Sequence, residues 1–408
     1  MRKSIRPPIK PLRACGLALA LGSTGLTPAL VAAETTIAET ESDDIAANLD
    51  RTGMAGSGDD RPFPSRRKEW RERAGLACGI TYHTFTAAAV PTDDHAIAAA
   101  GDLTLQGVWT PGHRWRGNPV QLRFRTRHRH GFSDTVPSGL GQEIGSLWGV
   151  SDGFSDRGLE VPDLFLRHQF QRSGLELRYG QMAIDSQFDS HSLGGAKQSF
   201  LNQAFSSNPA VAFPRFGAGF TLFREFSTGL DLTLGTTTVQ GTRAGEQVDF
   251  DFGSSDLFHA LQIGYDFVTL ADRASRLQFF LWHSDAVRAT GQSGGQGVAL
   301  TFEQTLTDDQ RAFARVAFSD GGGANVDALV SAGIAWRRRD SDLMGLSAGC
   351  GRGSEAGQAV QAVIELFYRW QIRQGLHLTP DIQLLAGQDF SETPGLRIIF
   401  GIRTGFEF

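Results

Sequence analysis

Leu396-Arg397-Ile398-Ile399-Phe400-Gly401-Ile402-Arg403-Thr404-Gly405-Phe406-Glu407-Phe408 closes the chain. Side chains alternate across a strand. One face of this stretch therefore carries Leu396, Ile398, Phe400, Ile402, Thr404, Phe406 and Phe408. The other carries Arg397, Ile399, Gly401, Arg403, Gly405 and Glu407. A soluble sandwich would bury the greasy face, whereas an outer-membrane barrel turns it to lipid. A terminal Phe408 on that face favours the barrel, because such an aromatic is what the barrel-assembly machinery reads. The rest of the chain decides.

Composition is compatible with either. The 408 residues are 40% hydrophobic, and a barrel needs apolar residues only at alternate positions. Residues 1–33 read as a secretory signal: Arg2, Lys3, Arg6, Lys10 and Arg13, an apolar run from Ala14 to Leu21, and Val31-Ala32-Ala33 before Glu34. Removing those five from the 39 basic residues leaves 34 against 44 acidic ones. Nucleic acid is therefore not an expected partner. After the signal no run reaches the roughly 18 apolar residues of a membrane helix. Cys78 and Cys350 fall among apolar neighbours and read as small hydrophobes, not as a disulfide or metal pair. The acidic stretch 34–64 is expected to be a disordered periplasmic tail, and 65–74 a short helix or linker.

From residue 75 to residue 408 the pattern is repeated alternation, the mark of strands. Strands are expected at 75–86, 97–110, 119–128, 161–171, 173–181, 216–226, 230–240, 256–268, 275–285, 296–305, 310–319, 326–337, 342–350, 359–371, 376–386 and 395–408. That is an all-β, transmembrane antiparallel barrel of about 16 strands, wide enough to enclose water. Tight connections (172, 227–229, 306–309, 338–341, 373–375) alternate with long ones (129–160, 182–215, 241–255, 286–295, 387–394). Outer-membrane barrels have short periplasmic turns and long external loops. With the C-terminus in the periplasm, Trp109, Trp336 and Trp370 all fall outward at periplasmic strand ends, as an aromatic girdle requires.

The face opposite the apolar one is then the inner wall. Arg123, Arg125 and Arg127 lie opposite Val120, Leu122 and Phe124. Glu365 and Arg369 oppose Ile364 and Leu366, and Asp381 opposes Ile382. Guanidinium supplies planar donors and carboxylate supplies acceptors, a pairing suited to sugar hydroxyls. Salt bridges that merely set pore width would use the same residues. The segment 182–215 is too long for a turn. It is expected to fold inward as a constriction loop carrying Asp185, Asp189, His191 and Lys197, with Phe200, Phe205 and Phe213 packing it to the wall.

The chain resembles the carbohydrate-selective porin family of Gram-negative outer membranes. The resemblance is carried by Gly145-Ser146-Leu147-Trp148-Gly149-Val150-Ser151, Arg178-Tyr179-Gly180-Gln181, Asp185-Ser186-Gln187-Phe188-Asp189 and Phe200-Leu201-Asn202-Gln203-Ala204-Phe205-Ser206-Ser207-Asn208-Pro209. Thr379-Pro380-Asp381-Ile382-Gln383 adds to it, and Trp70 to Leu76 resembles the family's opening. It implies a 16-stranded barrel that passes glucose-like sugars by diffusion. It also implies an eyelet of Arg, acidic and aromatic residues. By position the matching candidates are Arg123, Arg125, Glu176, Arg178, Asp185 and Asp189. The Ala-rich acidic tail before Trp70 departs from the family's pattern.

Other functions make different demands. A general or anion-preferring pore would also use the Arg123, Arg125 and Arg127 run. A non-conducting structural barrel would be plugged by apolar or paired interior residues. An outer-membrane lipase needs a nucleophile and base on one face, but His283 and Ser284 are neighbours pointing oppositely. No G-x-S-x-G elbow, HExxH helix or zinc-type Cys/His spacing occurs, so no enzyme activity, cofactor or metal site is expected. The expected partners are small sugars as permeants, outer-membrane lipids and the assembly machinery. The residues leave open whether barrels join as homotrimers.

Overall fold

Alternating burial along each strand organises the molecule. The computed structural model describes residues 73–407 except 92–96, 113, 116–117, 242–247, 249, 251–255, 270–271, 288–290, 292, 340, 355–359 and 388–394. The signal, the acidic tail, most of the 65–74 segment and Phe408 lie outside the described residues.

Strands run in sequence order as a meander: β1 (Leu76–Val90), β2 (Ile97–Trp109), β3 (Arg114–Trp115), β4 (Asn118–Gly131), β5 (Gly158–Phe170), β6 (Leu175–Met182), β7 (Gly217–Glu225) and β8 (Leu230–Thr238). β9 (Leu257–Val268), β10 (Ala274–Ser284), β11 (Gly295–Thr307), β12 (Gln310–Ser319), β13 (Val326–Arg338), β14 (Asp342–Gly353), β15 (Val360–Arg373), β16 (Leu376–Gly387) and β17 (Gly395–Glu407) follow. β3 is a two-residue ribbon beside β4. The other strands each pair antiparallel with both neighbours, and β17 returns to β1 in a register from Thr81↔Glu407 to Val90↔Ile398. The result is a closed 16-strand barrel. Closure leaves no strand edge, so every ladder hydrogen bond is made inside the wall.

The outer face is apolar as the alternation requires. Ile364, Leu366 and Trp370 of β15 are exposed, and Leu366 sits between exposed Leu346 and Ile382 on its neighbours. Trp109 is exposed on the same outer side, and its indole N–H donates to the Ala74 carbonyl at 3.1 Å. Trp336 shares the outward parity of exposed Val330 on β13. These three indoles gather at the short-turn end, a geometry that suits a ring with one apolar and one wet side. Cys78 and Cys350 are free thiols.

Two connections fill part of the interior. The segment between β4 and β5 contains a helix, Pro137–Glu143, that alternation-based reading does not foresee. Its Leu140, Ile144, Leu147, Trp148, Val150 and Phe154 are buried. The segment between β6 and β7 carries a short 3-10 turn, Ile184–Ser186, and a helix, Gln203–Ser206, capped by the Asn202 side chain accepting from the Ala204 N–H.

Placing a charge on the outer face tests this inside–outside assignment. Leu366→Arg is expected to lower barrel stability by about 2–4 kcal/mol, read by denaturant unfolding in lipid vesicles. An unchanged midpoint would mean that Leu366 does not face lipid.

Candidate functional site

The inner face of β13 and β14 is built from small residues, among them Gly333, Gly345, Ser347, Gly349 and Gly351. Large loop side chains dock there. A Cβ on Gly345 would stand 3.0 Å from the Phe200 ring, and one on Gly351 2.8 Å from Trp148. Phe200 also meets Phe367 edge-on at 5.0 Å between ring centroids, and Phe213 stacks on Phe280 at 5.9 Å. Phe200 and Phe213 of this segment thus contact aromatic rings on the strands.

Polar groups complete the docking. Glu365 on β15 accepts from the Leu201 and Asn202 N–H groups at 2.6 and 2.9 Å. Arg403 donates to the carbonyls of Ala196 and, at 2.8 Å, Ser199. Arg369 donates to the Gln198 side chain at 2.6 Å. The Gln383 amide ties both segments, accepting from Asn202 Nδ2 at 2.9 Å and donating to the Val150 carbonyl at 2.9 Å. Gln361 clasps the β4–β5 connection through the Leu147 N–H and the Gly145 carbonyl at 3.0 and 3.1 Å. Segment 183–216 thus spans from β9, where Gln262 accepts from the Asp189 N–H at 2.7 Å, to β2, where Asp102 meets Lys197 at 2.7 Å.

Asp189 is a further buried anchor. Its carboxylate accepts from Asn208 Nδ2 at 2.6 Å and Thr301 Oγ1 at 3.0 Å, with Arg315 Nε at 3.5 Å. Arg315 also donates to the Asp189 carbonyl at 2.8 Å and to the Ser207 carbonyl. Both side chains are 1% exposed. A buried pair of this kind is weak support for stability as a whole, but removing one partner strands the other charge.

A second set of charges remains open. Arg123, Arg125, Arg127 and Arg129 share the inner face of β4. Arg125 pairs with Asp163 at 2.8 Å, and Arg127 with Glu160 at 3.2 Å. Arg129 and Arg215 share Glu160, while Arg167 and Arg178 share Glu176. Arg125, Arg127 and Arg178 keep 26%, 20% and 21% of their side chains exposed. A guanidinium has five N–H donors, so one ion pair leaves others for a visitor.

Three loop groups stand near these arginines. Asp185 is open to solvent yet lies deep within the barrel; burial pushes its carboxyl up, against the opposing pull of Arg125 and Arg127. Burial and then the charge of Asp185 push the Asp152 carboxyl up. Burial pushes the Lys197 ammonium down to about 8, with Asp102 beside it acting the other way.

The expected site residues therefore separate into two groups. Arg123, Arg125, Arg127, Arg178 and Asp185 belong to the open region, with Glu176 buried as their counter-charge. Asp189, Glu365, Arg369 and Asp381 are buried where segment 183–216 meets the wall. Sequence reasoning passed over Arg129 and Glu160 because the expected strands stopped at 128 and began at 161. It passed over Asp102, whose inner-face parity with Thr104 was the available signal.

The architecture is that of a porin-type β-barrel. Residues 260–408 match the family described as "Carbohydrate-selective porin, OprB family", a stretch that includes Thr379–Gln383 but not the motifs between residues 145 and 209. Among solved structures, the high-pH structure of Pseudomonas putida OprB superposes with a TM-score of 0.71 at 12% identity, covering 84% of this chain and 96% of that one. The low-pH structure of the same protein gives 0.55 at 12%, covering 84% and 95%. A Rhodopseudomonas blastica porin triple mutant gives 0.51 at 10%, covering 82% and 100%. At such identities these likenesses establish the fold. A comparison with curated proteins found no match.

If the Arg315–Asp189 pair pins the inner segment, Arg315→Ala should weaken its docking by about 3–5 kcal/mol. Trypsin would then cut at Lys197 in the folded barrel while sparing the parent protein. Equal resistance of the two would show that this pair does not hold the segment.

Proposed function

We propose that the chain is an outer-membrane porin that lets small, glucose-like carbohydrates diffuse into the periplasm. The permeant passes between the arginine face of β4 and β6 and the Asp185–Lys197 side of the inward-folded segment, which acts as the constriction loop. The observation that carries this is the split of the interior charges. Arg315, Arg403 and Glu365 are sealed against the loop, whereas Arg125, Arg127 and Arg178 stay partly open beside the exposed Asp185. Alternating donors and acceptors on one path can replace the hydration of successive hydroxyls without holding net charge. Arg127 and Arg215 both lie over the Phe216 ring, at 5.3 and 5.2 Å, within reach of a cation–π attraction that helps to place them.

In this proposal residues 1–33 export the chain, 34–74 lie in the periplasm and the short turns face the same side. Phe408 hands the chain to the barrel-assembly machinery, and the Ile364–Leu366 face meets lipid. The excess of arginine on β4 supports a second reading, an anion-preferring diffusion pore.

Swelling of proteoliposomes in a panel of sugars, amino acids and salts separates the two. A sugar pore swells fastest in hexoses, and Arg125→Ala slows hexose entry several-fold while the barrel still folds. Salt currents indifferent to hexose, with Arg125→Ala changing only anion preference, would favour the second reading.

Acidity should tune the passage in a definite direction. Because the Asp152 and Asp185 carboxyls are pushed up, falling pH neutralises them earlier than ordinary carboxylates. Raising pH through about 8 removes the Lys197 charge. Both changes make the path more positive in acid and less positive in base. Reversal potentials across a salt gradient should therefore shift toward anions as pH drops; a flat profile would place these groups off the ion path.

A further inference from the structure

The barrel's closing seam holds three side chains that the passage does not use. On the inner face, Gly405 of β17 lies in register between His83 of β1 and His377 of β16. Gly405 has no side chain, and a Cβ there would collide with the His377 ring. The two imidazoles consequently lean together over the glycine, with ring centroids 5.5 Å apart and planes tilted by 47°. Glu407 stands two residues further along β17, on the same face, opposite Thr81. Its Oε1 is 3.8 Å from His83 Nε2, too far for a hydrogen bond.

These groups are poorly explained as packing. His83 and His377 are 1% and 2% exposed. Among the described residues, neither ring nitrogen of His83 finds a hydrogen-bond partner, nor does Nε2 of His377. Buried imidazole nitrogens normally have partners, and each exception asks for a reason. An ion supplies one. One ligand atom from each of the three side chains lies within 4.8 Å of the others. Zinc binds imidazole nitrogen and carboxylate oxygen at about 2.0–2.2 Å, which sets tetrahedral ligands roughly 3.3 Å apart. Side-chain rotation can close that difference.

We propose that His83, His377 and Glu407 form a binding site for one divalent transition-metal ion of zinc-like softness, with a water in the fourth position. Two imidazoles and one carboxylate suit zinc, cobalt and nickel better than calcium or magnesium, which prefer all-oxygen shells. The ion would bridge β16, β17 and β1, clipping the last strands to the first. The neighbouring cations are already engaged: Arg403 with the Ala196 and Ser199 carbonyls, Arg369 with Gln198, and Lys197 with Asp102. Gln198 also donates to Glu407 Oε1, an outer contact that orients the carboxylate.

The test uses untagged full-length barrel in detergent, stripped with a chelator and titrated with Co²⁺ as a visible-absorbing probe. The expected result is a d–d absorption band saturating at one ion per barrel and abolished by excess Zn²⁺. His83→Ala and His377→Ala should each lose it. Glu407→Gln, which keeps the side chain's shape, should weaken binding at least tenfold, and Gly405→Ala should do so by displacing His377. His259→Ala with His283→Ala, on the outer rim, should change nothing. Folding of each variant is checked by heat-modifiable gel migration, and Zn²⁺ should raise the parent's heat-modification temperature but not that of His83→Ala. Absence of the band in the parent, its survival in the folded His83→Ala/His377→Ala double variant, or its loss with the rim pair would each overturn the proposal.

Discussion

A chain that crosses a bilayer must satisfy every backbone N–H and C=O within itself, since hydrocarbon offers none of water's partners. For strands the only solution is closure, and here it depends on one pairing, β17 with β1. Everything else in the molecule is consistent with that seam. The meander brings each strand beside its predecessor at little topological cost, and alternation gives every strand an oily and a polar side. The polar side is enclosed only because the first and last strands meet.

Enclosure then poses a second problem. A wide barrel has an interior that ladder hydrogen bonds do not fill. This protein fills much of it with its own connections. Glycine and serine on β13 and β14 leave room for Phe200, Phe205 and Trp148, while Glu365, Gln361, Gln383, Arg369, Arg403 and Arg315 capture loop backbone. Charges on that side of the barrel act as fasteners. On the β4–β6 side Arg125, Arg127 and Arg178 stay partly exposed beside buried carboxylates, and in the proposed function it is these guanidinium groups that meet a solute. One alternating pattern thus yields two kinds of interior residue, separated by where the loops settle.

That separation marks the boundary of what the residues alone disclose. The strands were legible because a closed wall with an apolar outer face and a polar inner face imposes a period of two; Ile364, Leu366 and Glu365 need only be counted to be placed. The contacts of Phe200 and Phe213 with rings on the strands have a readable cause, since a long connection rich in aromatics has few other places to bury them. The burial of Trp148 and Phe154 was not legible, since the 132–157 connection has no period and its partners, Gln361 and Gln383, lie far along the chain. Nor could spacing distinguish Asp189, an anchor, from Asp185, an open carboxylate four residues earlier. His83 and His377 become neighbours only through closure. Arg129 and Glu160 slipped past the assigned strand ends, where alternation is weakest and twist and bulges intervene, as at the register shift between Arg125 and Arg127.

The inside–outside polarity of the wall can be measured directly by single-cysteine accessibility in lipid vesicles, with Cys78 and Cys350 replaced by serine. A thiol at position 125 should react with a charged, water-soluble reagent and reduce conductance when modified, whereas one at position 364 should react only with a lipid-soluble maleimide. The opposite pattern, with 364 open to the charged reagent and 125 shielded from it, would contradict the barrel as described.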